Sequence, residues 1–170
     1  VFGGPANLMP FNLSTLNAGT STKGFVINGG VSTLYGGIGW SASAAGDINS
    51  DGLADLVIDG GSTNDGPGKA YVVYGKTSGT AVDLGSLSAT TGFVVNGLQT
   101  ADYFGTSVSN GGDINGDGLA DLIVGAFGLG ISAATTDEGS VYVMFGQTNP
   151  STMNVNSSTA GFVIQGWSMS

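Results

Sequence analysis

Short apolar runs, separated by polar and glycine-rich segments, are the main pattern along this chain. Leu56–Ile58 and Leu122–Val124 are apolar triplets that follow turn signals, and Gly139–Phe145 is rich in Val, Tyr and Phe. Gly37–Ala45 and Phe104–Asn110 consist mainly of small residues, which is typical of strands packed where space is tight. No apolar period of 3.6 residues is sustained, and the 32 glycines oppose helix formation. The pattern therefore predicts an all-β protein.

The same elements recur along the chain in a fixed order. The hexapeptide Gly24–Gly29 returns as Gly92–Gly97 and Gly161–Gly166, at lags of 68 and 69 residues. The acidic stretch Asp47–Asp55 returns as Asp113–Asp121 with one difference in nine positions. Aromatic segments with a terminal glycine also repeat: Ala70–Gly75, Val141–Gly146 and, in part, Val1–Gly3. Such periodicity is the signature of a repeat architecture.

Four strands in about 70 residues describe one blade of a β-propeller. On this interpretation residues 1–30 supply the last two strands of one blade, residues 31–98 form a first complete blade, and residues 99–170 form a second. The ring is then incomplete in this chain. A β-sandwich is the alternative fold, and periodicity alone does not dismiss it.

The two acidic loops have the chemistry of calcium sites. Ca²⁺ takes about six to eight hard oxygen ligands, and a tightly curled loop can supply them from alternate residues. Gly52 and Gly118 are expected to adopt the positive φ that folds each loop around an ion. The predicted ligands are side-chain oxygens plus one leucine carbonyl in each loop: Asp47, Asn49, Asp51, Leu53 and Asp55 in the first, and Asp113, Asn115, Asp117, Leu119 and Asp121 in the second.

Other metals and other loop types fit these residues less well. An EF-hand needs a glutamate at position 12, where this chain has Ile58 and Val124. Magnesium prefers octahedral geometry with retained waters, and zinc is disfavoured in a chain with no His or Cys. The alternative is a pair of solvated Asp/Asn/Gly turns. Three aspartates within nine residues repel each other unless a cation joins them, and this pattern occurs twice, which favours calcium.

Charge and composition remove several functional classes. The net charge is -9 and six of the 12 acidic residues lie in the two loops, which disfavours nucleic acid and anionic lipid as partners. No stretch of 18 apolar residues is present, so insertion into a membrane is not expected. The absence of His, Cys and Arg removes most nucleophile–base pairs used in catalysis.

Phe104-Gly105, the acidic loop and Gly125-Ala126-Phe127 together resemble the FG-GAP repeat of integrin α-subunit propellers and related bacterial surface proteins. The first unit is more degenerate, with Ile38-Gly39 and Asp59-Gly60-Gly61 at the corresponding positions. The resemblance implies blades of four antiparallel strands with calcium in the loop between the first two. Such propellers usually close with more blades than this chain supplies, so other blades of the same or neighbouring chains are expected as partners, through self-association or as part of a longer chain.

Three functions remain open at this level. The first is a calcium-binding extracellular adhesion or surface module with a protein or glycan ligand, and the second is a structural subunit of a calcium-stiffened surface fibre or layer. The third, a carbohydrate-active enzyme, would draw on acidic residues outside the loops, most of which are expected to be solvated in turns: Asp59, Asp65, Asp83, Asp102, Asp137 and Glu138. Aromatic residues could stack on sugars or fill space between blades: Tyr35, Trp40, Tyr103 and Trp167. We expect an extracellular or cell-surface module without catalysis.

Overall fold

Strands account for nearly all the regular structure in the computed structural model, which describes residues 16, 21, 24–29, 37–61, 66–98, 102–128, 139–147, 153–155 and 161–166. No α-helix occurs in these ranges, and they contain no helix long and apolar enough to cross a membrane. The all-β prediction is confirmed. The strands are β1 (Ile27–Asn28), β2 (Ala42–Gly46), β3 (Asp55–Asp59), β4 (Lys69–Val73), β5 (Val82–Asp83), β6 (Gly92–Asn96), β7 (Ser107–Gly112), β8 (Asp121–Ala126), β9 (Ser140–Met144), β10 (Met153–Asn154) and β11 (Gly161–Gln165).

A set of four antiparallel strands occurs twice, once within a five-stranded sheet and once as a four-stranded sheet. β2, β3, β4 and β6 pair in that spatial order in the first, and β7, β8, β9 and β11 in the second. We call them the first and second blade, because they are the four-stranded antiparallel blades that the repeat predicts. Each acidic loop joins the first two strands of its blade. A bulge precedes each loop and ends in a glycine at positive φ, Gly46 or Gly112.

Two very short strands, absent from the sequence prediction, each pair with the strand formed by the preceding copy of the Gly-Phe-Val hexapeptide. β5 pairs in parallel with β1, with Val82 opposite Ile27, and the N–H of Val82 donates to the Val26 carbonyl at 2.9 Å. β10 pairs in parallel with β6, with Met153 opposite Val95. Both short strands lie between the third and fourth strands of their own blade. The first blade therefore contributes a short strand to β1, and the second blade contributes one to the outer edge of the first blade.

The main hydrophobic core lies between the two blades. Alternate residues of the first blade, including Val57, Val72 and Phe93, pack with Leu122 and Val124 of the second. A second cluster covers the opposite face of the first blade and is built from Ile58, Tyr71, Val73, Val82 and Leu84, with Phe25 and Ile27 against it. Because successive side chains of a strand point to opposite faces, a blade covered on both faces reads in sequence as a continuous apolar run.

Phe104-Gly105 lies where the two blades meet. The Phe104 ring is buried and packs edge-to-face on Tyr142, with centroids 5.2 Å apart. A Cβ on Gly105 would come within 2.0 Å of the Lys69 carbonyl oxygen. The φ of Gly105 is 95°, which residues with a side chain rarely adopt. The phenylalanine fills the core between the blades, and the glycine lets the chain pass against β4 of the first blade.

Parts of the predicted organisation lie outside the described residues. These parts include the opening segment Val1–Gly3 and the segments beside the boundaries predicted at residues 30 and 98. The division into a half-blade at 1–30 and units at 31–98 and 99–170 therefore stays a prediction.

Candidate metal centres

The first acidic loop is curled around the side chain of its first aspartate. Asp47 accepts hydrogen bonds from the N–H of Asp51 at 3.0 Å and of Gly52 at 2.8 Å. Asn49 Oδ1 accepts from the Asp51 N–H at 3.1 Å, and its Nδ2 donates to Asp51 Oδ2 at 2.9 Å. Asp51 Oδ1 in turn accepts from the Leu53 N–H at 2.8 Å. Short Asp and Asn side chains that bond to nearby backbone amides are what force this chain segment into a tight loop.

The second loop repeats that network. Asp113 accepts from the N–H groups of Gly116, Asp117 and Gly118 at 2.8, 3.0 and 2.9 Å. Asn115 Oδ1 accepts from the Asp117 N–H at 3.1 Å, and Asn115 Nδ2 donates to Asp117 Oδ2 at 2.7 Å. The N–H of Leu119 donates to Asp117 Oδ1 at 2.8 Å. Two separate segments thus reach the same local structure.

The predicted positive φ of the sixth residue is confirmed in both loops. Gly52 has φ 85° and Gly118 has φ 87°, and a Cβ at either position would meet nothing within 4 Å. The glycine is therefore required by the backbone conformation and not by crowding.

The last aspartate of each loop is buried and held by backbone amides on both oxygens. Asp55 accepts from Ile48 N–H at 2.7 Å and from Gly75 N–H at 2.7 Å, and Asp121 accepts from Ile114 N–H at 2.6 Å and Gly146 N–H at 2.8 Å. Both carboxyl groups are fully shielded from solvent. Each of them joins the start of its loop to the end of the third strand of its blade.

The electrostatic environment of Asp55 disfavours its charge. Burial raises the pKa of the Asp55 carboxyl, the amides of Gly75 and Ile48 lower it, and the negative charges of Asp51 and Asp47 raise it. The net effect is that the pKa of Asp55 lies above the ordinary value for an aspartate. A cation beside these carboxylates would favour their charged forms.

The loop oxygens have the chemistry of calcium ligands, but they do not form a preformed cluster. The ligand atoms are hard oxygens only, and an ionised carboxylate that accepts one N–H per oxygen keeps further lone pairs for a cation. However, no three acidic side chains in the described ranges converge closely enough to form a ready-made metal cluster. Nor is any buried side-chain polar atom there without a hydrogen-bond partner. The donor chemistry fits calcium, and the contacts seen are those of the loops with their own backbone.

Sequence reasoning missed several residues that position the loops. Ile48 and Ile114 supply the amides that meet the buried aspartates, and Gly75 and Gly146 supply the others. A Cβ on Gly75 would lie 2.6 Å from the Ala54 carbonyl oxygen, so only glycine fits beside the loop there. The signal was present in the sequence, because a glycine ends both aromatic repeats at equivalent positions.

The expectation of a solvated carboxylate is wrong for Asp59. It is buried at the end of β3, where its Oδ1 accepts from the N–H groups of Gly39 at 2.6 Å and Ser41 at 3.2 Å. These bonds fix the segment that carries Trp40, whose side chain is 87% exposed and precedes β2. Asp83 is exposed, as expected, and caps a 3₁₀ turn by accepting from the Gly85 N–H.

Tyr103 stacks on Phe127, with centroids 4.9 Å apart and planes 9° apart. This contact is within the second blade and leaves Phe127 about half exposed. Asp102 is partly buried, and its backbone carbonyl accepts from the Gly128 N–H at 3.1 Å. The other candidates lie outside the described residues: Tyr35, Asp65, Asp137, Glu138 and Trp167.

Comparison with known proteins gives a family match for the first three strands of the second blade. Residues 104–144, which span the Phe-Gly element, the second acidic loop and β9, match the FG-GAP repeat. The chain is 38% identical over 121 residues to phosphatidylinositol-glycan-specific phospholipase D of Rattus norvegicus, which is 68% of this chain and 14% of that protein. It is 42% identical over 94 residues to integrin alpha-E of Mus musculus, covering 52% of this chain and 8% of the integrin, and 35% identical over 97 residues to integrin alpha-M of the same species, again 8% of the integrin. The chain thus matches only a small part of the length of each of these relatives.

Proposed function

We propose that this chain is a calcium-binding module of an extracellular adhesion or surface protein, because residues 104–144 match the FG-GAP repeat. In this proposal one Ca²⁺ binds each acidic loop and makes the hairpin that carries it rigid. The side-chain oxygens of the two loops and the Leu53 and Leu119 carbonyls hold the ions. The units are those predicted from the repeat, a half-blade at 1–30 followed by blades at 31–98 and 99–170.

The observation that carries the proposal is that the same oxygen-rich loop is built twice. In both loops the first aspartate is surrounded by backbone amides while the third and fifth residues, Asn and Asp, face each other. Three carboxylates fall within nine residues in each loop, with no basic residue among them. Like charges at this density repel, so a divalent cation would stabilise the folded loop.

Calorimetric titration of calcium into chelator-treated protein tests this. We expect two sites with dissociation constants of about 10⁻⁴–10⁻³ M, the range typical of extracellular modules. Asp51→Ala should remove one site and Asp117→Ala the other. Saturation at about 100 times the dissociation constant should add about 2.7 kcal/mol to the free energy of unfolding for each site.

Asp83→Asn is the matched control, since it removes a charge outside the loops while keeping an acceptor for the Gly85 N–H. It should leave both sites intact. An absence of binding heat, together with a melting temperature that does not respond to chelation, would contradict the proposal and leave the loops as hydrogen-bonded turns.

The choice between adhesion and a structural role concerns what the module contacts. Adhesion predicts binding of the isolated protein to a protein or glycan surface, with the exposed Trp40 as one candidate contact. A structural subunit predicts calcium-dependent polymers visible by electron microscopy. We favour adhesion or surface display, because the relatives include integrin alpha chains.

We further propose that the module is not catalytic. One relative is named as a phospholipase D, but this chain covers only 14% of that protein. This chain itself contains a match to the FG-GAP repeat. Incubation with a phosphatidylinositol-glycan substrate and with a polysaccharide panel should give no turnover. Turnover that Asp102→Asn abolishes would instead support an enzyme.

A further inference from the structure

The start of the first acidic loop lies directly against the end of the second. Gly46 immediately precedes Asp47, and Ala120 immediately precedes Asp121. A Cβ added to Gly46 would lie 2.5 Å from the Cβ of Ala120, closer than two carbon atoms can approach without a bond between them. The two loops are thus in van der Waals contact where the blades meet, with no room for a side chain on Gly46.

Asn110 adds a second contact between the loops. Its Oδ1 accepts from the N–H of Gly112 at 2.7 Å and so supports the bulge from which the second loop starts. Its Nδ2 lies 3.6 Å from the position of a Cβ on Gly46, at the bulge of the first loop. The first blade has Ala44 at the equivalent position. The Asn110 side chain therefore lies between the bulges that begin the two loops.

The core between the blades gives the loops a third connection. Ile48, the second residue of the first loop, is 1% exposed and belongs to this core, while its N–H donates to Asp55 at the end of the same loop. Leu122, which directly follows the second loop, is fully buried in the same core. The strands that lead into the loops are also neighbours, since β2 runs beside β7 and the Val108 N–H donates to the Ser41 hydroxyl at 3.2 Å.

Shared contacts of this kind couple the order of the two loops. Fixing one loop fixes the surface against which the other packs, so the second loop loses less conformational entropy when it becomes ordered. The energies of residues in direct contact are also the ones that fail to add independently. An electrostatic effect has the opposite sign, because a cation in one loop weakens the attraction of the other loop for calcium. Raising the salt concentration screens this effect and leaves the packing contacts in place.

We propose that the two acidic loops form one cooperative unit, so that ordering of either loop stabilises the other and two calcium ions bind with positive cooperativity. The calcium part of this statement rests on the function proposed above. The coupling of the loops does not, because the contacts that carry it are made by protein atoms alone.

Amide hydrogen exchange, measured by NMR in excess chelator, tests the coupling without calcium. Gly118→Ala strains the second loop through the φ of 87° at this position, while the added Cβ meets nothing within 4 Å and no predicted ligand is removed. The N–H groups of Asp51 and Gly52, which donate to Asp47 in the first loop, should then exchange about fivefold faster or more.

The reverse experiment strains the first loop. Gly52→Ala acts at a φ of 85°, and its added Cβ also meets nothing within 4 Å. The N–H of Gly118, which donates to Asp113, should exchange faster in this variant, because coupling between two sites is reciprocal. In both variants the N–H of Gly85, which donates to Asp83 outside the loops, should exchange as in the wild type.

Calcium titration gives a second measurement of the coupling. The wild-type isotherm should be steeper than that of two independent sites, and it should stay so when the salt concentration is raised. Asp51→Ala and Asp117→Ala should each leave one site. That site should bind calcium about fivefold or more weakly than it does in the wild type with the other loop occupied.

Removing the contacts between the loops should remove the coupling. Asn110→Ala combined with Ala120→Gly deletes both groups that lie against Gly46. In this double variant the two sites should bind independently, and Gly118→Ala should no longer speed exchange in the first loop. Ala54→Gly is the matched control, since Ala54 holds the position of Ala120 in the first loop and is exposed, and it should keep the coupling.

The outcomes separate this proposal from the calcium function. Exchange rates in each loop that do not respond to strain in the other, or two independent calcium sites in the wild type, would overturn the coupling. Coupling of full size in the double variant would overturn it as well. An absence of calcium binding, together with exchange effects transmitted between the loops, would support the coupling and contradict only the calcium function.

Discussion

At the residue scale, the fourth position of the acidic loops is where the two copies differ. Ser50 has φ 61° in the first loop, and Gly116 has φ 77° in the second. A serine in the left-handed region carries a steric cost that glycine avoids, partly offset by the greater freedom of glycine in the unfolded chain. A Cβ on Gly116 would meet nothing within 4 Å, so only the backbone distinguishes the two residues.

Exchanging the two residues should therefore change stability in opposite directions. We expect Ser50→Gly to raise the free energy of unfolding by up to about 1 kcal/mol and Gly116→Ser to lower it by a similar amount. Urea denaturation in chelator, with calcium effects removed, measures both. Changes of the same sign in the two variants would show that side-chain contacts and not backbone strain control this position.

The sequence predicts some of these conformations and not others. Gly52 and Gly118 could be assigned positive φ because glycine is the residue that a sharp turn favours. Ser50 could not, since serine seldom adopts that conformation and only its alignment with Gly116 gives a hint. The identity of the loop acids was likewise readable, but the complete burial of Asp55 and Asp121 depends on a third strand whose approach the sequence does not show.

At the element scale, the buried aspartate is the link that closes each blade. Asp121 begins β8 and receives amides from the loop at Ile114 and from the end of β9 at Gly146. Asp121→Asn would put an amide N–H₂ group against one of these buried N–H donors. We expect a loss of about 2–3 kcal/mol in the free energy of unfolding, because a buried donor then lacks an acceptor.

This loss should persist when no metal is bound, which separates the structural role of Asp121 from any part in calcium binding. Urea denaturation in excess chelator is the measurement. Asp117→Asn is the matched control, since this loop residue is exposed and should change stability by less than about 0.5 kcal/mol under the same conditions. Equal stabilities for the two variants would contradict this account of the link.

The hydrophobic pattern of the sequence predicts the longer strands but not the shortest ones. The long strands follow from apolar runs, because residues such as Val57 and Val72 are buried on one face and their neighbours on the other. β5 and β10 were missed, since a two-residue strand leaves no period to detect and forms only against a strand of the preceding repeat. Pairing between repeats is set by how the blades stack, which local sequence does not encode.

At the scale of the whole molecule, the two blades are held together by a hydrophobic core that includes the rings of two tyrosines. Tyr142 contributes its ring to this core and packs against Phe104, while Tyr74 packs against Phe93. Burial raises the pKa of Tyr142, and the nearby charge of Asp102 raises it further. Burial also raises the pKa of Tyr74, with Asp55 and Asp51 adding to the effect. The interface between the blades therefore favours neutral phenols.

This predicts a specific sensitivity to alkaline pH. In the unfolded chain a tyrosine ionises near pH 10, whereas the folded-state pKa of Tyr142 is higher. The stabilising contribution is thus fully present below about pH 10, and it falls as pH rises from there through the folded-state pKa, at up to about 1.4 kcal/mol per pH unit for each tyrosine. Tyr142→Phe cannot ionise and should lose less stability between pH 9 and pH 11 than the wild type. Urea denaturation at several pH values in that window gives the two curves; if they run parallel, Tyr142 does not couple the packing of the blades to pH.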